Sequence, residues 1–252
     1  MILENAFREY KANFRAALAF GLLLLFVPVF MLGFFQSENL LFSSGSFFVD
    51  YKLASPAVLA LELVLGVLFL ALLSFFVSLI VFGVRKNLSK VRVEYYLNEM
   101  VQKFTLKIFL FFLFYSLFLF IAGFVFVSLL EPVSGVLFGS LFMLLLSLFF
   151  MFVPQSIVVD ELGVWDAIRE SADFISKNVH SLFTVLVVGS VLLALVVLLE
   201  FAIDFFAIGL LLGRFVSVFL MLVFLVPFME VLKTYVYMLK FDLVRKSEMT
   251  KE

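Results

Sequence analysis

The amino-acid sequence predicts an all-α integral membrane protein. Hydrophobic residues make up 65% of its 252 residues, charged residues only 15%, and the mean hydropathy is +1.23. A soluble domain of this length needs more polar side chains than that to cover its surface. The apolar residues also form long uncharged runs, and a helix of about 20 residues crosses a hydrocarbon core of about 30 Å. Transmembrane β-strands would instead alternate in polarity over about ten residues.

Six apolar runs predict six transmembrane helices. They cover residues 16–35, 63–84, 108–130, 136–153, 181–199 and 208–229. Only the last run contains a charged residue, Arg214. Short connections at residues 131–135 and 204–209 join neighbouring runs, so we expect three hairpins. Residues 36–55 form the one long segment that this layout places on the outer side.

Each hairpin is predicted to follow a short amphipathic helix on the cytoplasmic side. Apolar residues recur in these stretches at helical spacing, which places them on one face. They are Leu3, Phe7, Tyr10 and Phe14; then Val93, Leu97, Met100, Val101 and Phe104; then Val164, Ile168, Ala172 and Ile175. Such a helix lies in the headgroup layer, or packs beneath the bundle, before the chain turns into the span.

The first and third amphipathic stretches share a sequence motif. Ala6, Arg8 and Glu9 recur as Ala167, Arg169 and Glu170, and an asparagine follows each set shortly before the span. We therefore expect one transmembrane domain over residues 1–252, with pseudo-repeats at 1–84, 85–158 and 159–241 and a cytoplasmic tail at 242–252. The alternative is chance similarity between helices that are rich in Phe, Leu and Val.

The distribution of Lys and Arg predicts the orientation. With the N-terminus inside, sixteen of the eighteen basic residues fall in inner segments, and only Lys52 and Arg214 fall in outer ones. Because positive charge collects on the cytoplasmic side, both termini are predicted to be cytoplasmic, in a multi-pass protein of the cell membrane. The net charge of −1 gives no indication of a nucleic-acid partner.

Residues that carry most enzyme chemistry are scarce. The chain has no cysteine and a single histidine, His180, so thiolate chemistry is excluded and a His-based metal site lacks a second histidine. No Gly-rich phosphate loop and no Gly-x-Ser-x-Gly elbow occurs. We therefore predict that the protein is not an enzyme and has no catalytic, cofactor-binding or metal-binding residue.

Charges in or beside the spans are the candidate polar sites, because a charge in hydrocarbon costs about 2.5–3.5 kcal/mol on insertion scales. An outer group comprises Glu62, Glu200, Asp204 and Arg214, and an inner pair comprises Glu230 and Lys233. The outer group is either an ion-pair clasp at the water interface or a site for a cation or polar solute. The inner pair follows Pro227, which is expected to kink the helix and free a backbone carbonyl. There Lys233 either neutralises Glu230 or leaves it as a proton or cation site.

One segment carries a resemblance to a family. Residues 153–161 read Val-Pro-Gln-Ser-Ile-Val-Val-Asp-Glu, and Trp165, Ala167, Arg169, Ser171 and Asn178 follow. This pattern resembles a superfamily of uncharacterised prokaryotic and archaeal membrane proteins related to the membrane domain of some glycerophosphodiester phosphodiesterases. The resemblance implies a membrane-domain fold and says little about activity, since the soluble phosphodiesterase domain has no counterpart in these residues. The phenylalanine content, 38 of 252 residues, also favours an archaeal source.

The sequence favours a non-catalytic membrane protein that acts as a scaffold or shapes the bilayer. Basic amphipathic helices on one leaflet suit anionic lipid, so the expected partners are membrane lipids, a second copy of the chain or another membrane-complex subunit, and no nucleic acid. The alternative is a small-solute or lipid transporter, or a membrane subunit of a transport complex.

Overall fold

The structure, a computed structural model, describes residues 2–35, 56–89, 97–129, 132–206 and 212–240, and these residues are almost entirely helical. The α-helices in these ranges are α1 (Ile2–Phe35), α2 (Pro56–Leu88), α3 (Leu97–Met100), α4 (Leu106–Leu129), α5 (Pro132–Phe149), α6 (Val153–Val159), α7 (Val164–Lys177), α8 (Val179–Phe206), α9 (Leu212–Leu220) and α10 (Val226–Lys240). Two π-helical segments, Val101–Thr105 and Met221–Leu225, join α3 to α4 and α9 to α10.

Five helical stretches in the described ranges are long and apolar enough to cross a membrane. They are Leu63–Leu88, Val101–Phe126, Leu137–Val159, Val179–Phe205 and Phe215–Leu239. The all-helical, multi-pass character predicted from the sequence is therefore confirmed. The predicted first span at 16–35 lies within α1 and is not among the five, so the count of six and the hairpin layout stay predictions.

The first amphipathic stretch is not a separate helix. α1 runs without a break from Ile2 to Phe35, so the predicted turn into the span does not occur. Its buried face contains Ala6, Tyr10 and Ala17, whereas Leu3 and Phe7 are nearly half exposed. The second stretch also leads directly into its span, through α3 and the π-helical segment to α4; Val93 lies outside the described residues.

The third amphipathic stretch forms its own helix, α7, with one buried face. That face contains Ala167, Ser171, Phe174 and Ile175. Of the predicted apolar stripe, Ile175 is buried, while Val164 and Ile168 pack at the edge of the core. The prediction misplaced the stripe because it excluded a polar residue, Ser171, from the buried face.

The fourth predicted span is divided in the structure. α5 ends at Phe149, and α6 begins at Val153 after a short turn. Pro154 lies in the first turn of α6, where a proline costs no helical hydrogen bond. All seven residues of α6 are buried.

The core lies at one end of the bundle and surrounds α6. There α2 and α10 pack against α6, α7 packs against the other side of the same region, and α1 packs against α2 and α10. Three fully buried rings connect these elements: Phe174 of α7 lies 4.7 Å from Phe152 and 4.9 Å from Tyr237 of α10, centroid to centroid. Elsewhere α4, α5 and α8 expose large apolar side chains along most of their length.

We expect a methyl group at Gly21 to weaken the contact between α1 and the π-helical segment Met221–Leu225. A Cβ at this position would lie 2.9 Å from Val223 Cα and 3.1 Å from Leu222 O, both backbone atoms. Overpacking costs about 1–3 kcal/mol, which exceeds the helix-propensity gain of up to about 1 kcal/mol. Gly21→Ala should therefore lower the unfolding temperature in detergent.

Gly66→Ala is the matched control for this substitution. Gly66 also lies within a helix, but a Cβ there meets no atom within 4 Å. Its unfolding temperature should stay unchanged or rise. Equal effects of the two substitutions would contradict the close approach at Gly21.

Candidate functional site

Glu230 of α10 is the centre of a buried polar cluster. Lys233 Nζ donates to Glu230 Oε1 over 2.5 Å, and Gln155 Nε2 of α6 donates to Glu230 Oε2 over 2.9 Å. Thr234 Oγ1 donates to the Glu230 carbonyl oxygen over 2.7 Å. We call Gln155, Glu230, Lys233 and Thr234 the Glu230 cluster.

The carboxylate of this cluster is neutralised within the fold. The Glu230 and Lys233 side chains are only 10% and 13% exposed, so little water reaches either. Charges in such surroundings must be paired and hydrogen-bonded, because the low dielectric penalises an isolated one. Lys233 also reaches the Met151 carbonyl oxygen in the turn after α5, at 3.5 Å. The structure thus brings the two predicted inner residues together, and Lys233 takes the neutralising position.

One acceptor of the cluster lacks a partner. Gln155 is fully buried, and its Oε1 finds no hydrogen-bond donor among the described residues. The amide cannot relieve this by turning over, since Oε1 would then face the Glu230 carboxylate. A buried acceptor without a donor costs about 1–3 kcal/mol. Gln155 Oε1 is therefore a position where a small donor molecule, water included, would be stabilised.

A second cluster holds the other end of α6. Arg85 Nη1 of α2 donates to the Val158 carbonyl oxygen over 2.5 Å, and Arg85 Nη2 lies 3.0 Å from Glu161 Oε1. Lys103 pairs with the other oxygen of Glu161, and Lys107 Nζ donates to the Leu162 carbonyl oxygen over 3.1 Å. Cations next to the last carbonyls of a helix are stabilised by its dipole.

Glu161 itself has a strained backbone. Its φ is +60°, a left-handed conformation that is uncommon for residues other than glycine. The chain adopts it directly after α6, where the carboxylate meets Arg85 and Lys103. We infer that these two cations hold the turn between α6 and α7 in place.

Asp160 connects the same turn to α10. Its carboxylate accepts a hydrogen bond from the Tyr237 hydroxyl. Burial raises the pKa of Asp160 above its ordinary value, and the hydrogen bond from Tyr237 and the charge of Arg85 oppose that rise. The contacts with Tyr237 and Arg85 stabilise the ionised form of the Asp160 carboxylate at this position.

The shared motif of α1 and α7 has a structural role at both sites. Ala6 and Ala167 are both fully buried, so each lets its helix approach the core closely. Glu9 is buried and accepts a hydrogen bond from Asn87 Nδ2 of α2 over 3.2 Å. Glu170 is partly buried, and Arg8 and Arg169 lie on exposed positions. The buried members of the motif therefore fix helices to one another.

The outer group is only partly described. Asp204 Oδ1 accepts a hydrogen bond from the Gly213 N–H over 3.1 Å, which connects the end of α8 to the start of α9. Glu200 lies one turn earlier on α8 and is partly buried. The side chains of Glu62 and Arg214 lie outside the described residues. Whether the outer group is a clasp or a solute site stays a prediction.

Pro227 leaves one backbone carbonyl of its helix without an α-helical donor, while the predicted kink stays a prediction. An N–H at position 227 of an α-helix would bond to the Val223 carbonyl oxygen, and proline has none. The Tyr10 hydroxyl of α1 reaches this oxygen at 3.5 Å, and the π-helical segment Met221–Leu225 directly precedes the proline. The freed carbonyl is thus used by a tyrosine of another helix and not by Glu230.

Sequence reasoning missed Gln155, Arg85 and Glu161 as site residues. Arg85 and Glu161 are 76 positions apart, so no local spacing connects them. The signal that could have found Gln155 and Glu161 was their place in the segment that carries the family resemblance. Among the described ranges no group of three or more His, Asp and Glu residues could hold a metal ion.

Removal of Lys233 should destabilise the protein strongly. Lys233→Met leaves the Glu230 carboxylate buried without its cation, and breaking a buried pair in this way costs about 3–5 kcal/mol. The double variant Glu230→Gln/Lys233→Met removes both charges and should recover much of the loss. Unfolding in detergent, followed by circular dichroism, measures both.

Lys177→Met is the control for charge removal. Lys177 pairs with Asp173 over 2.5 Å, but the two side chains are 69% and 52% exposed, so we expect little change. A loss for Lys233→Met no larger than for Lys177→Met would contradict the burial of the Glu230 charge. A double variant as unstable as the single one would show that shape, and not charge, matters there.

Comparisons with family models, with curated proteins and with solved structures find no match to this chain. The resemblance of residues 153–178 to the phosphodiesterase membrane domain stays a prediction. The functional conclusion therefore depends on the contacts that the chain's own residues make.

Proposed function

We propose that this chain is a non-catalytic multi-pass membrane protein that acts as a scaffold or shapes the bilayer. In this proposal six helices cross the cell membrane as three hairpins, with both termini in the cytoplasm. The observation that carries it is the division of the molecule into two parts. One part, which we call the base, is the packed core around α6 with its paired charges. The other part consists of long apolar helices that expose much of their surface.

The paired charges support a structural role for the base. Glu230 is neutralised by Lys233 on the next turn, and Glu161 binds both Arg85 and Lys103. A solute pathway needs charged groups that a solute can reach. The charged groups named here instead form ion pairs with one another within the protein. They stabilise one arrangement of α2, α6 and α10.

The apolar helices support an interaction role. On α8 the exposed fractions of Leu198 and Phe201 are 63% and 70%, and on α4 that of Phe120 is 60%. Helix surfaces of this kind contact lipid or the helices of a neighbouring molecule. A protein whose membrane-spanning helices expose large apolar side chains in this way can bind other membrane components and hold them together.

A transporter is the second candidate, and one observation favours it. The break between α5 and α6 brings together a turn, Glu230 and a Gln155 oxygen that has no donor among the described residues. Transporters form their substrate sites from discontinuous helices of this kind. The cluster would then bind a small polar solute or a proton.

Self-association separates the two candidates. Because the chain has no cysteine, single cysteines can be cross-linked without background. In vesicles at low protein-to-lipid ratio, a scaffold should cross-link between copies through Leu198→Cys or Phe120→Cys. Val231→Cys, on a residue that is 1% exposed, is the buried control and should give no product.

A flux assay tests the alternative in the same vesicles. A scaffold should leave ion and solute flux at the level of empty vesicles, with Glu230→Gln and Glu62→Gln indistinguishable from the parent chain. A monomeric chain whose proton or cation flux is abolished by Glu230→Gln would overturn the scaffold and establish the transporter.

The proposed topology predicts the sides of two labels. Gly45→Cys lies in the segment placed outside, and Lys86→Cys lies at the cytoplasmic end of α2. A membrane-impermeant maleimide added to intact cells should label only position 45, and both positions after lysis. Labelling of both in intact cells would contradict the hairpin layout.

A further inference from the structure

An apolar groove of about 410 Å³ lies between α1, α8 and the helix formed by α9 and α10. Its walls include Phe7 and Tyr10 of α1, Leu192, Leu195 and Leu199 of α8, and Phe224 of the π-helical segment. We call it the α1–α8 groove. Its volume falls within the range of about 300–1,000 Å³ that is usual for ligand sites.

The lining restricts the occupant to hydrocarbon. Every residue of the wall is apolar except Tyr10, whose hydroxyl is directed to the Val223 carbonyl oxygen. A polar solute would lose its hydrogen bonds to water there without replacement. The groove follows α8 from Leu192 to Leu199, and at about 1.5 Å per residue it extends about 10 Å along the helix. This elongated shape suits a single acyl chain.

Positive charge lies beside the wall of the groove. Lys11 Nζ is placed 4.8 Å from the centre of the Phe7 ring, which forms part of that wall. Lys11 is exposed, and so is Arg15 one turn further along α1. A cation beside a hydrocarbon groove is complementary to a phosphate joined to an acyl chain.

We propose that the α1–α8 groove binds one acyl chain of an anionic phospholipid, whose phosphate contacts Lys11. The contact holds α1 and α8 together through the lipid. The site depends neither on self-association nor on transport, so it goes beyond the proposed scaffold role and can succeed or fail separately.

Photo-cross-linking with two matched lipids tests this site. Phosphatidylglycerol and phosphatidylcholine that carry the same diazirine-labelled acyl chain are each incorporated at low fraction into nanodiscs with the full chain. Mass spectrometry should find the label concentrated on peptides with residues 192–199 and 224–228. Phosphatidylglycerol should exceed phosphatidylcholine there by about fivefold, the factor that corresponds to about 1 kcal/mol for one basic residue at an anionic surface.

Two variants separate the headgroup contact from the acyl contact. Lys11→Gln should remove the preference for phosphatidylglycerol and leave phosphatidylcholine labelling unchanged. Leu195→Trp fills the groove and should reduce labelling by both lipids. The controls are Lys86→Gln, on another exposed lysine, and Leu141→Trp, on a half-exposed leucine of α5; neither should change the labelling.

Three results would overturn the proposal. The first is labelling of α5 at the same level as the groove, which would indicate ordinary surrounding lipid. The second is equal labelling by both lipids, which share the phosphate and differ in the net charge of the headgroup; equal labelling would leave that net negative charge without a role. The third is full retention of labelling in Leu195→Trp, which would place the acyl chain elsewhere.

Discussion

The fold depends on the satisfaction of the backbone groups that the break between α5 and α6 leaves open. In hydrocarbon or a packed core an unpaired peptide group costs several kcal/mol, so a broken helix needs partners from elsewhere. Ser171 of α7 provides two at once, because its hydroxyl donates to the Phe149 carbonyl oxygen over 2.7 Å and accepts from the Phe152 N–H over 3.3 Å. At the other end Arg85 binds the Val158 carbonyl oxygen. α6 can be central and fully buried because two other helices supply these groups.

The same constraint explains how α1 is attached. The second irregular segment, Met221–Leu225, presents the carbonyl oxygen that Pro227 frees, and Tyr10 of α1 reaches it. Gly21 lets the α1 backbone approach this segment closely, with no Cβ in the way. Asn5 adds a hydrogen bond to the Tyr235 hydroxyl over 2.9 Å. α1 therefore packs against the irregular segment between α9 and α10, and its apolar Phe7 forms part of the wall of the groove.

The helical class and the five apolar spans could be predicted because they follow from long, uninterrupted runs of apolar residues. The pairing of Glu230 with Lys233 was also within reach, since three positions on a helix bring side chains together. The Arg85–Glu161 pair was not, because 76 positions separate the partners. The α5–α6 break was hidden by its sequence, since Phe150, Met151 and Phe152 are as apolar as the helices around them. The buried face of α7 was predicted wrongly because hydrophobic periodicity counts only apolar residues. Ser171 lies on that face because its hydroxyl forms hydrogen bonds there.

The position of the polar groups determines what kind of partner the protein can bind. In the described ranges most hydrogen bonds between the side chains of distant helices and their partners lie around α6 and at the start of α1. The long faces of α4, α5 and α8 carry apolar side chains instead. A surface without polar groups selects its partner by shape and by exclusion of water, so lipid chains and other apolar helices fit it and polar solutes do not. Gln155 Oε1 departs from this division, because among the buried side-chain atoms of the described residues it alone has no hydrogen-bond partner and can accept from an incoming molecule.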